Sequence, residues 1–286
     1  MFKLFLLGAL GENLARLGLK NLTLIDHDLL ATSNLNRWQG GRSKDVGKPK
    51  AHVLARRLRA LFPGIKVTAI AQPLTHPKAL RAIKGMDILV GAVDNHLTRY
   101  LLNRISIQFL IPYLDAGVAI TKSKSEDNNR MQLLSRLAVV IPGVTACMQC
   151  SRIQFFDQKQ LTLALYDPIT RAQLTQAGYI KHHPEEQAPS VMPLNMLAAS
   201  ILLTELLNLV TGFAPLARNV AMDILAPNHM QLRSDSNNFP ESAASDCLNC
   251  TALLGAGDSE RLPLVHMAHT REPQVAKHDL PLAANE

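Results

Sequence analysis

Short apolar runs alternate with amphipathic helical patterns along the first 120 residues of the chain. The apolar runs predicted as β-strands cover residues 2–7, 21–28, 65–71, 86–94 and 111–119. Residues with helical spacing separate these runs, at 11–18, 45–61, 76–83 and 97–109. Strands that alternate with helices in this way are typical of a mainly parallel sheet with helices on both faces. The pattern therefore predicts an α/β fold.

The alternation of strand and helix ends near residue 130. The later elements are predicted as an antiparallel strand or hairpin at 131–143, a helix at 191–211, and strands near 218–225 and 229–233. From Thr251 onward the sequence has scattered Pro, Gly and charged residues without periodicity, which indicates a largely disordered tail. We therefore expect one domain over residues 1–250, with halves at 1–130 and 131–250, and a tail over 251–286.

Composition limits the choice of partners only weakly. The chain has 286 residues, 47% of them hydrophobic, which is enough for the core of one large domain. Its formal charge of +7 suits phosphate-bearing partners, meaning nucleotides or nucleic acid. However, the Lys and Arg residues are scattered, and an ordinary solvated surface explains them equally well.

Two apolar segments raise the question of a membrane. The opening MFKLFLLGALG leads into a glycine-rich turn rather than a signal-peptide cleavage site. The run from Leu194 to Val210 is about 17 residues long, the lower limit for a span, and polar residues such as Asn195 and Glu205 interrupt it. We therefore expect a buried core helix or dimer helix, no membrane association and a cytoplasmic location.

All four cysteines of the chain lie in two C-x2-C motifs, Cys147-Met-Gln-Cys150 and Cys247-Leu-Asn-Cys250. Each motif can place two thiolates on one side of a metal ion, and two motifs complete the tetrahedral shell that zinc prefers. A pair of disulfides or a redox dithiol is the alternative, which the missing secretory signal disfavours. We expect one structural zinc ion whose closed shell leaves no position for metal catalysis.

A second set of polar residues follows the predicted strands. Asp26 ends the second strand, at the edge of a parallel sheet where an acid commonly binds a ribose. The segment SNLNR at 33–37, Lys50 of DVGKPK and Asp94 of VDNHLTR follow along the chain. Taken singly, Asp26 could be a turn acid, Asp94 a helix N-cap, and Arg37 and Lys50 surface charges. Only their joint spacing favours a function.

Several segments together resemble one family. LTLIDHDLLATSNLNR, DVGKPKA, VDNHLTR, IPYLDAGV and the paired cysteine motifs are similar to the ThiF/MoeB/HesA family of ATP-dependent adenylyltransferases, the bacterial relatives of ubiquitin-activating enzymes. The resemblance covers about residues 3–250. It implies a Rossmann-like nucleotide-binding half, continued by an antiparallel, zinc-clipped half that binds a carrier protein, and a homodimer built on helix 191–211.

The resemblance implies a role for each matching residue. Asp26 matches the family acid that binds the ATP ribose. Asn34 and Arg37 match the Asn and Arg of the family's SNLxR motif, in which the Arg contacts the phosphates. Lys50 matches a lysine that also binds the phosphates, and Asp94 matches the aspartate that coordinates magnesium.

The reaction that the resemblance implies is the adenylation of a carboxylate. The carboxylate would come from a small ubiquitin-like carrier protein or peptide, typically from a C-terminal glycine. Its attack on the α-phosphate of ATP would give an acyl-adenylate and pyrophosphate. Arg37, Lys50 and the magnesium ion held by Asp94 would stabilise the negative charge that develops.

The chain departs from the family pattern at three places. Of the glycine loop only Gly8 and Gly11 remain, with about four to six residues missing, so Leu6 or a shortened turn would crowd the nucleotide. The family's N-terminal helix and its arginine are not matched. The zinc site uses every cysteine, so no thioester with the carrier is expected. Asp28, Asp115 and Gly117 fit the pattern, but capping and turn roles explain them equally well.

Other functions stay open on the sequence alone. The shortened glycine loop favours a catalytically degenerate scaffold that still binds a carrier. The basic charge suggests a tRNA-directed family member, whose binding would weaken steeply with salt. A nicotinamide-dependent dehydrogenase is disfavoured, because Arg37, Lys50 and Asp94 would have no role in it. His182 and His183 are expected to lie in a solvated loop rather than in a second metal site.

Overall fold

The computed structural model describes residues 8–93, 96–122, 131–150, 191–217, 219–225, 229–234 and 244–259. Its helices are α1 (Gly8–Arg16), α2 (Lys50–Leu61), α3 (Pro77–Ile83), α4 (His96–Phe109), α5 (Met192–Thr211) and α6 (Leu248–Thr251). Its strands are β1 (Asn21–Ile25), β2 (Lys66–Ile70), β3 (Leu89–Gly91), β4 (Tyr113–Lys122), β5 (Met131–Val140), β6 (Asn219–Leu225) and β7 (His229–Ser234). The predicted strand at 2–7, and also His182 and His183, lie outside the described residues.

The strands form two sheets. β1 and β2 pair in parallel, from Asn21 opposite Lys66 to Ile25 opposite Ile70. The second sheet has the order β3-β4-β5-β6-β7, in which β3 and β4 pair in parallel and each later neighbour pairs antiparallel. The predicted α/β fold, with parallel pairing in the first half and antiparallel pairing in the second, is therefore confirmed.

Helices cover both faces of the sheets. Successive strand residues point to opposite sides. Leu24 therefore packs into a core formed with α1, α2 and α5, whereas Ile25 packs into a core formed with α3, α4 and the cysteine motifs. Leu114 and Tyr113 on β4 divide in the same way. The core that contains α2 and the core that contains the cysteine motifs thus lie on opposite faces of the strands.

Local signals explain several helix ends. Pro77 occupies the first turn of α3, where its missing N–H is not needed, and the His76 Nδ1 accepts a hydrogen bond from the Lys78 N–H at 3.1 Å. α5 ends at Gly212, whose φ of 67° is the left-handed conformation that glycine adopts without a steric penalty. The buried residues of α2 follow the predicted helical spacing: Ala51, Val53, Leu54, Ala55 and Leu58.

α5 is the one helix among the described residues that is long and apolar enough to cross a membrane, judged by length and composition alone. Leu202 and Leu206 on one side of it are buried in the core. On another side, Leu207 and Val210 are 42% and 54% exposed. The expectation of a core helix is confirmed for the buried side, and the dimer role of the exposed side stays a prediction.

The structure describes residues 251–259, the first part of the segment that the sequence assigns to the tail. The Gly255 N–H donates a hydrogen bond to the Ile107 carbonyl oxygen at 3.1 Å, which attaches this segment to the C-terminal end of α4. Irregular backbone that bonds to an existing helix has no periodic pattern, so the sequence gives no sign of it. Residues 260–286 lie outside the described residues, and the tail there stays a prediction.

Candidate functional site

Asp26 follows β1 directly, at the carboxyl end of the parallel pair. Its N–H donates to the Ile70 carbonyl oxygen at 3.1 Å, and its Oδ1 accepts a hydrogen bond from the Asp28 N–H at 2.8 Å. Burial raises the pKa of Asp26 to about 6, although the Asp28 N–H and the charge of Lys50 act in the opposite direction. The structure thus places a half-buried acid at the sheet edge where α/β proteins bind ligands.

Lys50 is the first residue of α2, and backbone hydrogen bonds hold it at the end of β1. The Leu30 N–H donates to the Lys48 carbonyl oxygen at 2.9 Å, and the Lys50 N–H donates to the Asp28 carbonyl oxygen at 2.9 Å. The Lys50 Nζ lies 2.7 Å from the Asp28 Oδ2, and the lysine side chain is only 16% exposed. A lysine from a distant part of the sequence is therefore fixed beside the acids of this edge.

The SNLNR segment forms a tight turn with internal hydrogen bonds. The Asn34 Oδ1 accepts a hydrogen bond from the Ala31 N–H at 3.1 Å, and Asn34 is buried. The Arg37 Nη1 donates to the Ser33 carbonyl oxygen at 2.6 Å. The Asn34 side chain therefore stabilises the turn that carries Arg37, a role that the sequence did not predict. Nucleotide binding by Asn34 and Arg37 stays a prediction.

A pocket of about 200 Å³ joins Asp26 to Lys50; it is lined by Leu24, Ile25, Asp26, Trp38, Lys50, Ala51 and Leu54. This volume includes open solvent, and the enclosed part of the pocket has room for only about one water molecule. Asn34 and Arg37 lie on the turn that precedes Trp38. Sequence reasoning missed Trp38 because a buried aromatic residue in a loop belongs to no periodic pattern. As the single tryptophan of the chain, it offers a fluorescence signal for this pocket.

The structure corrects the expected glycine-rich turn. Gly8 and Gly11 both lie inside α1 rather than in a loop before it. A Cβ added to Gly11 would lie 2.9 Å from the Leu54 Cδ2, so this glycine allows α1 and α2 to pack closely. The first backbone N–H groups of a helix lack partners within the helix and can bind an anion. Phosphate binding by Gly8 and Gly11 stays a prediction.

Asp94 lies outside the described residues. The connection that contains it joins β3, which ends at Gly91, to α4, which begins at His96. The strand predicted over 86–94 is thus shorter than expected. The role of Asp94 in magnesium binding stays a prediction.

Asp115 is fully buried in β4, which corrects the cap or turn role considered for it. Its Oδ1 accepts a hydrogen bond from the Tyr113 hydroxyl at 2.8 Å. The Arg99 Nε and the Arg136 Nη2 each lie 3.2 Å from its Oδ2. A Cβ on Gly117 would lie 2.8 Å from the Arg99 Nη2, so glycine makes room for that guanidinium. The cluster ties the first turn of α4 to β4 and β5.

The two cysteine motifs meet in one buried cluster. The four sulfur atoms lie within 4.8 Å of one another. Cys147 Sγ is 3.7 Å from the Sγ atoms of Cys150 and Cys247, and Cys150 Sγ is 3.5 Å from Cys250 Sγ. Tetrahedral zinc with Zn–S bonds of about 2.3 Å places its sulfur ligands about 3.8 Å apart. The four free thiols therefore fit a zinc ion in spacing and in chemistry.

The buried thiol of Cys147 would need a bound cation to become a thiolate. Burial raises the pKa of Cys147 to about 12, so this thiol would stay protonated in the absence of a positive charge. A bound metal ion deprotonates a coordinating thiol outright. The Ala244 N–H donates a hydrogen bond to Cys150 Sγ at 3.5 Å, the kind of outer contact that orients a metal ligand. Zinc itself stays a prediction.

The raised pKa of Asp26 predicts a stability change with pH. The folded state prefers the protonated carboxyl, so the stability of the wild type falls as the pH rises through the window from about 4 to 6. Asp26→Asn removes this penalty and should increase the free energy of unfolding by roughly 2 kcal/mol at pH 7. This difference in the free energy of unfolding should decrease to zero as the pH falls from about 6 to about 4. Urea denaturation at a series of pH values measures it.

A matched variant tests the cause of this gain. Asp28→Asn removes a more exposed carboxylate that pairs with Lys50, so it should give no increase in stability at pH 7. Equal stabilities of Asp26→Asn and the wild type at neutral pH would show that burial does not penalise the charged form of Asp26.

Comparisons with known proteins agree on one family. The model described as ThiF family matches residues 7–249. The sulfur carrier protein ThiS adenylyltransferase of Bacillus subtilis (strain 168) is 31% identical over 149 residues, which are 50% of this chain and 41% of the relative. The NEDD8-activating enzyme E1 catalytic subunit of Saccharomyces cerevisiae is 30% identical over 165 residues, 52% of this chain and 50% of the relative. The chain thus spans half the length of these relatives or less.

Solved structures of MccB share the fold. Escherichia coli MccB with ATP has a TM-score of 0.60 and 22% identity, covering 87% of this chain and 66% of that chain. The microcin C7 biosynthetic enzyme MccB in complex with N-formylated MccA has a TM-score of 0.62 and 22% identity, covering 87% and 67%. At this identity the likeness shows the fold alone. Because the family match extends over most of its length, the chain belongs to the ThiF family.

Proposed function

We propose that this protein is an ATP-dependent adenylyltransferase that activates the C-terminal carboxylate of a small carrier protein or peptide. The observation that carries the proposal is the pocket at the end of β1, in which Asp26 and Lys50 lie together. The names of the relatives support the substrate class. One is an adenylyltransferase of the sulfur carrier protein ThiS, and one structure holds MccB with MccA.

The residues at the pocket suit the parts of ATP. The Asp26 carboxylate would accept hydrogen bonds from the ribose hydroxyls at the carboxyl end of β1. Lys50 and Arg37 would bind the phosphates, and the N–H groups at the start of α1 would add donors. The Lys50 amine now contacts Asp28, so ATP would have to replace that carboxylate with a phosphate oxygen.

The proposed reaction is an in-line displacement. A carboxylate oxygen of the carrier attacks the α-phosphorus, the bond to the β-phosphate oxygen breaks, and pyrophosphate leaves. Lys50 and Arg37 stabilise the charge that spreads over the phosphate oxygens. Asp94 is proposed to hold a magnesium ion, which neutralises part of the phosphate charge.

We further propose that the reaction stops at the acyl-adenylate. The chain contains four cysteines, and all four belong to the buried cluster. With zinc bound, no thiol is available to form a thioester with the carrier. The adenylate would pass directly to another nucleophile.

A carrier-binding scaffold without catalysis is the second candidate. The pocket is small, and Gly8 and Gly11 lie in a helix rather than in an open loop. Both observations favour a site that no longer accepts ATP. Homodimerisation through α5, a cytoplasmic location and tRNA as the substrate stay predictions.

ATP–pyrophosphate exchange distinguishes these functions. The zinc-loaded full chain would be mixed with ATP, magnesium and candidate carriers that end in Gly-Gly, or with short peptides. Carrier-dependent exchange, with a change in Trp38 fluorescence on ATP addition, is the expected result. Carrier binding without exchange or a fluorescence change would instead establish the scaffold. Exchange driven by tRNA but by no carrier would also overturn the proposal.

A further inference from the structure

Asp45 is a buried carboxylate near the pocket that the proposed mechanism does not use. It ends the short helical turn Ser43–Asp45 and is fully buried. Its Oδ1 lies 2.7 Å from the Arg56 Nη2 and 3.2 Å from the Lys48 Nζ. Its Oδ2 is buried as well and accepts no hydrogen bond within the part of the chain that the structure describes.

The ion pairs of Asp45 contribute little to the stability of the fold, because they only partly offset the cost of burying the carboxylate. The hydrogen bond from Arg56 lowers the pKa of Asp45 to about 2, so the carboxylate is ionised at neutral pH. A buried charged oxygen without a donor is unfavourable. The side chains of Arg56 and Lys48 are 53% and 49% exposed, so water competes for both cations. A buried ion pair is weak evidence for a contribution to stability, and in some proteins it fixes a geometry instead.

The backbone at Asp45 leads directly to Lys50. The Lys48 N–H donates to the Asp45 carbonyl oxygen at 3.1 Å. Gly47 has a φ of 83°, which only glycine adopts readily, and its N–H donates at 2.8 Å to the segment that follows β1. Two residues after Lys48, Lys50 begins α2. These bonds leave little freedom between the buried carboxylate and the start of the helix.

The ion pair between Asp45 and Arg56 connects this turn to α2, the helix that begins with Lys50. Arg56 lies on the second turn of α2, six residues after Lys50, and its guanidinium reaches back to Asp45. Asp45 has no exposed surface, so it cannot itself contact a nucleotide or a carrier. Any effect on the reaction must therefore pass through the residues that it holds.

We propose that Asp45 is a positioning residue for Lys50. Its carboxylate holds the turn 45–48 against α2 through Arg56, and this fixes the backbone from which the Lys50 amine reaches the pocket. The catalytic consequence rests on the proposed adenylyltransferase function. The placement of the Lys50 amine does not, and it can be measured without ATP.

The placement is measured by the reactivity of the lysine. Asp45→Asn and Arg56→Met would be treated briefly with a water-soluble amine-acetylating reagent, and modification of Lys50 would be quantified by mass spectrometry relative to Lys84, which directly follows α3. We expect a severalfold higher Lys50 to Lys84 ratio in both variants, because a side chain that is 16% exposed is released. General loosening of the fold would increase the acetylation of both lysines and would leave the Lys50 to Lys84 ratio unchanged.

Two further variants control this experiment. Arg56→Lys keeps the cation and should restore most of the wild-type ratio. Arg59→Met removes another arginine of α2, one that donates to the Val67 carbonyl oxygen on β2 and not to the turn, and should leave the ratio unchanged. Because Arg56 and Arg59 are exposed, their variants should fold even if Asp45→Asn does not. An unchanged ratio in Arg56→Met would overturn the proposal.

The catalytic consequence is a change in kcat. In pyrophosphate exchange, Arg56→Met should lower kcat about tenfold to a hundredfold, with the KM for the carrier unchanged, because a small displacement of a catalytic group costs this much. Arg59→Met should retain the wild-type kcat. If the wild type shows no exchange while the labelling ratio still rises, the adenylyltransferase proposal fails and the positioning of Lys50 stands.

Discussion

Replacing Lys50 with alanine should weaken ATP binding roughly tenfold to a hundredfold, because a charge-assisted hydrogen bond to phosphate contributes about 1.5–3 kcal/mol. It should also slow carrier-dependent pyrophosphate exchange by about 10²–10³-fold, since the lysine is proposed to stabilise charge that is largest in the transition state. Titration of Trp38 fluorescence with ATP gives the binding constant. Steady-state exchange gives the rate.

Lys44→Ala is the matched control for this experiment. Lys44 belongs to the same basic segment but is exposed and does not line the pocket. Its removal changes the net charge of the protein by the same amount, and it should leave both ATP binding and exchange near wild-type values. If Lys50→Ala and Lys44→Ala behave alike, the pocket at the end of β1 is not where ATP binds.

Replacing Cys147 with serine should release the metal and lower the free energy of unfolding by more than about 3 kcal/mol, because metal binding is coupled to folding. The cluster holds more than its own four residues. The Met148 N–H donates to the buried Asn103 Oδ1 of α4 at 3.0 Å, and the Asn249 Nδ2 donates to the Gln149 Oε1 at 2.7 Å. Loss of the ion should therefore loosen the attachment of both motifs to α4.

Metal analysis and thermal unfolding check this prediction together. The purified wild type should contain one zinc ion per chain, and a strong chelator should lower its Tm to near that of Cys147→Ser. Met148→Leu changes a buried residue between the ligands while conserving volume, and should keep both metal and Tm close to wild type. A stable, metal-free protein with two disulfides under non-reducing conditions would establish the alternative that the sequence left open.

The sequence predicted the elements with strong periodicity best. The apolar residues of α2 at helical spacing and the parallel pairing expected in the first half were identified correctly, because burial of one face determines which residues can be apolar. The two C-x2-C motifs favoured a single cluster, since a tetrahedral zinc ion needs the thiolates of both motifs. Asp26 and Lys50 were predicted to act together, and the structure places both on one pocket.

The predictions that the structure corrected concern residues outside the periodic patterns. Gly8 and Gly11 were expected in a loop, yet both lie in α1, where Gly11 leaves room for the side chain of Leu54. Asp115 fitted a turn or a cap and is instead a buried strand residue held by two arginines. The contact of Gly255 with Ile107, in a helix more than a hundred residues earlier, was not foreseen either.

The sequence by itself thus determined the α/β class, the cluster of four cysteines and the family, because each depends on residue type and spacing along the chain. Only the tertiary structure shows that Asp45 is buried and pairs with Arg56, that Trp38 lines the pocket and that the Lys50 amine contacts the Asp28 carboxylate. These are contacts between segments that carry no periodic pattern. Their burial and charge depend on neighbours brought together by folding, which no window of the sequence contains.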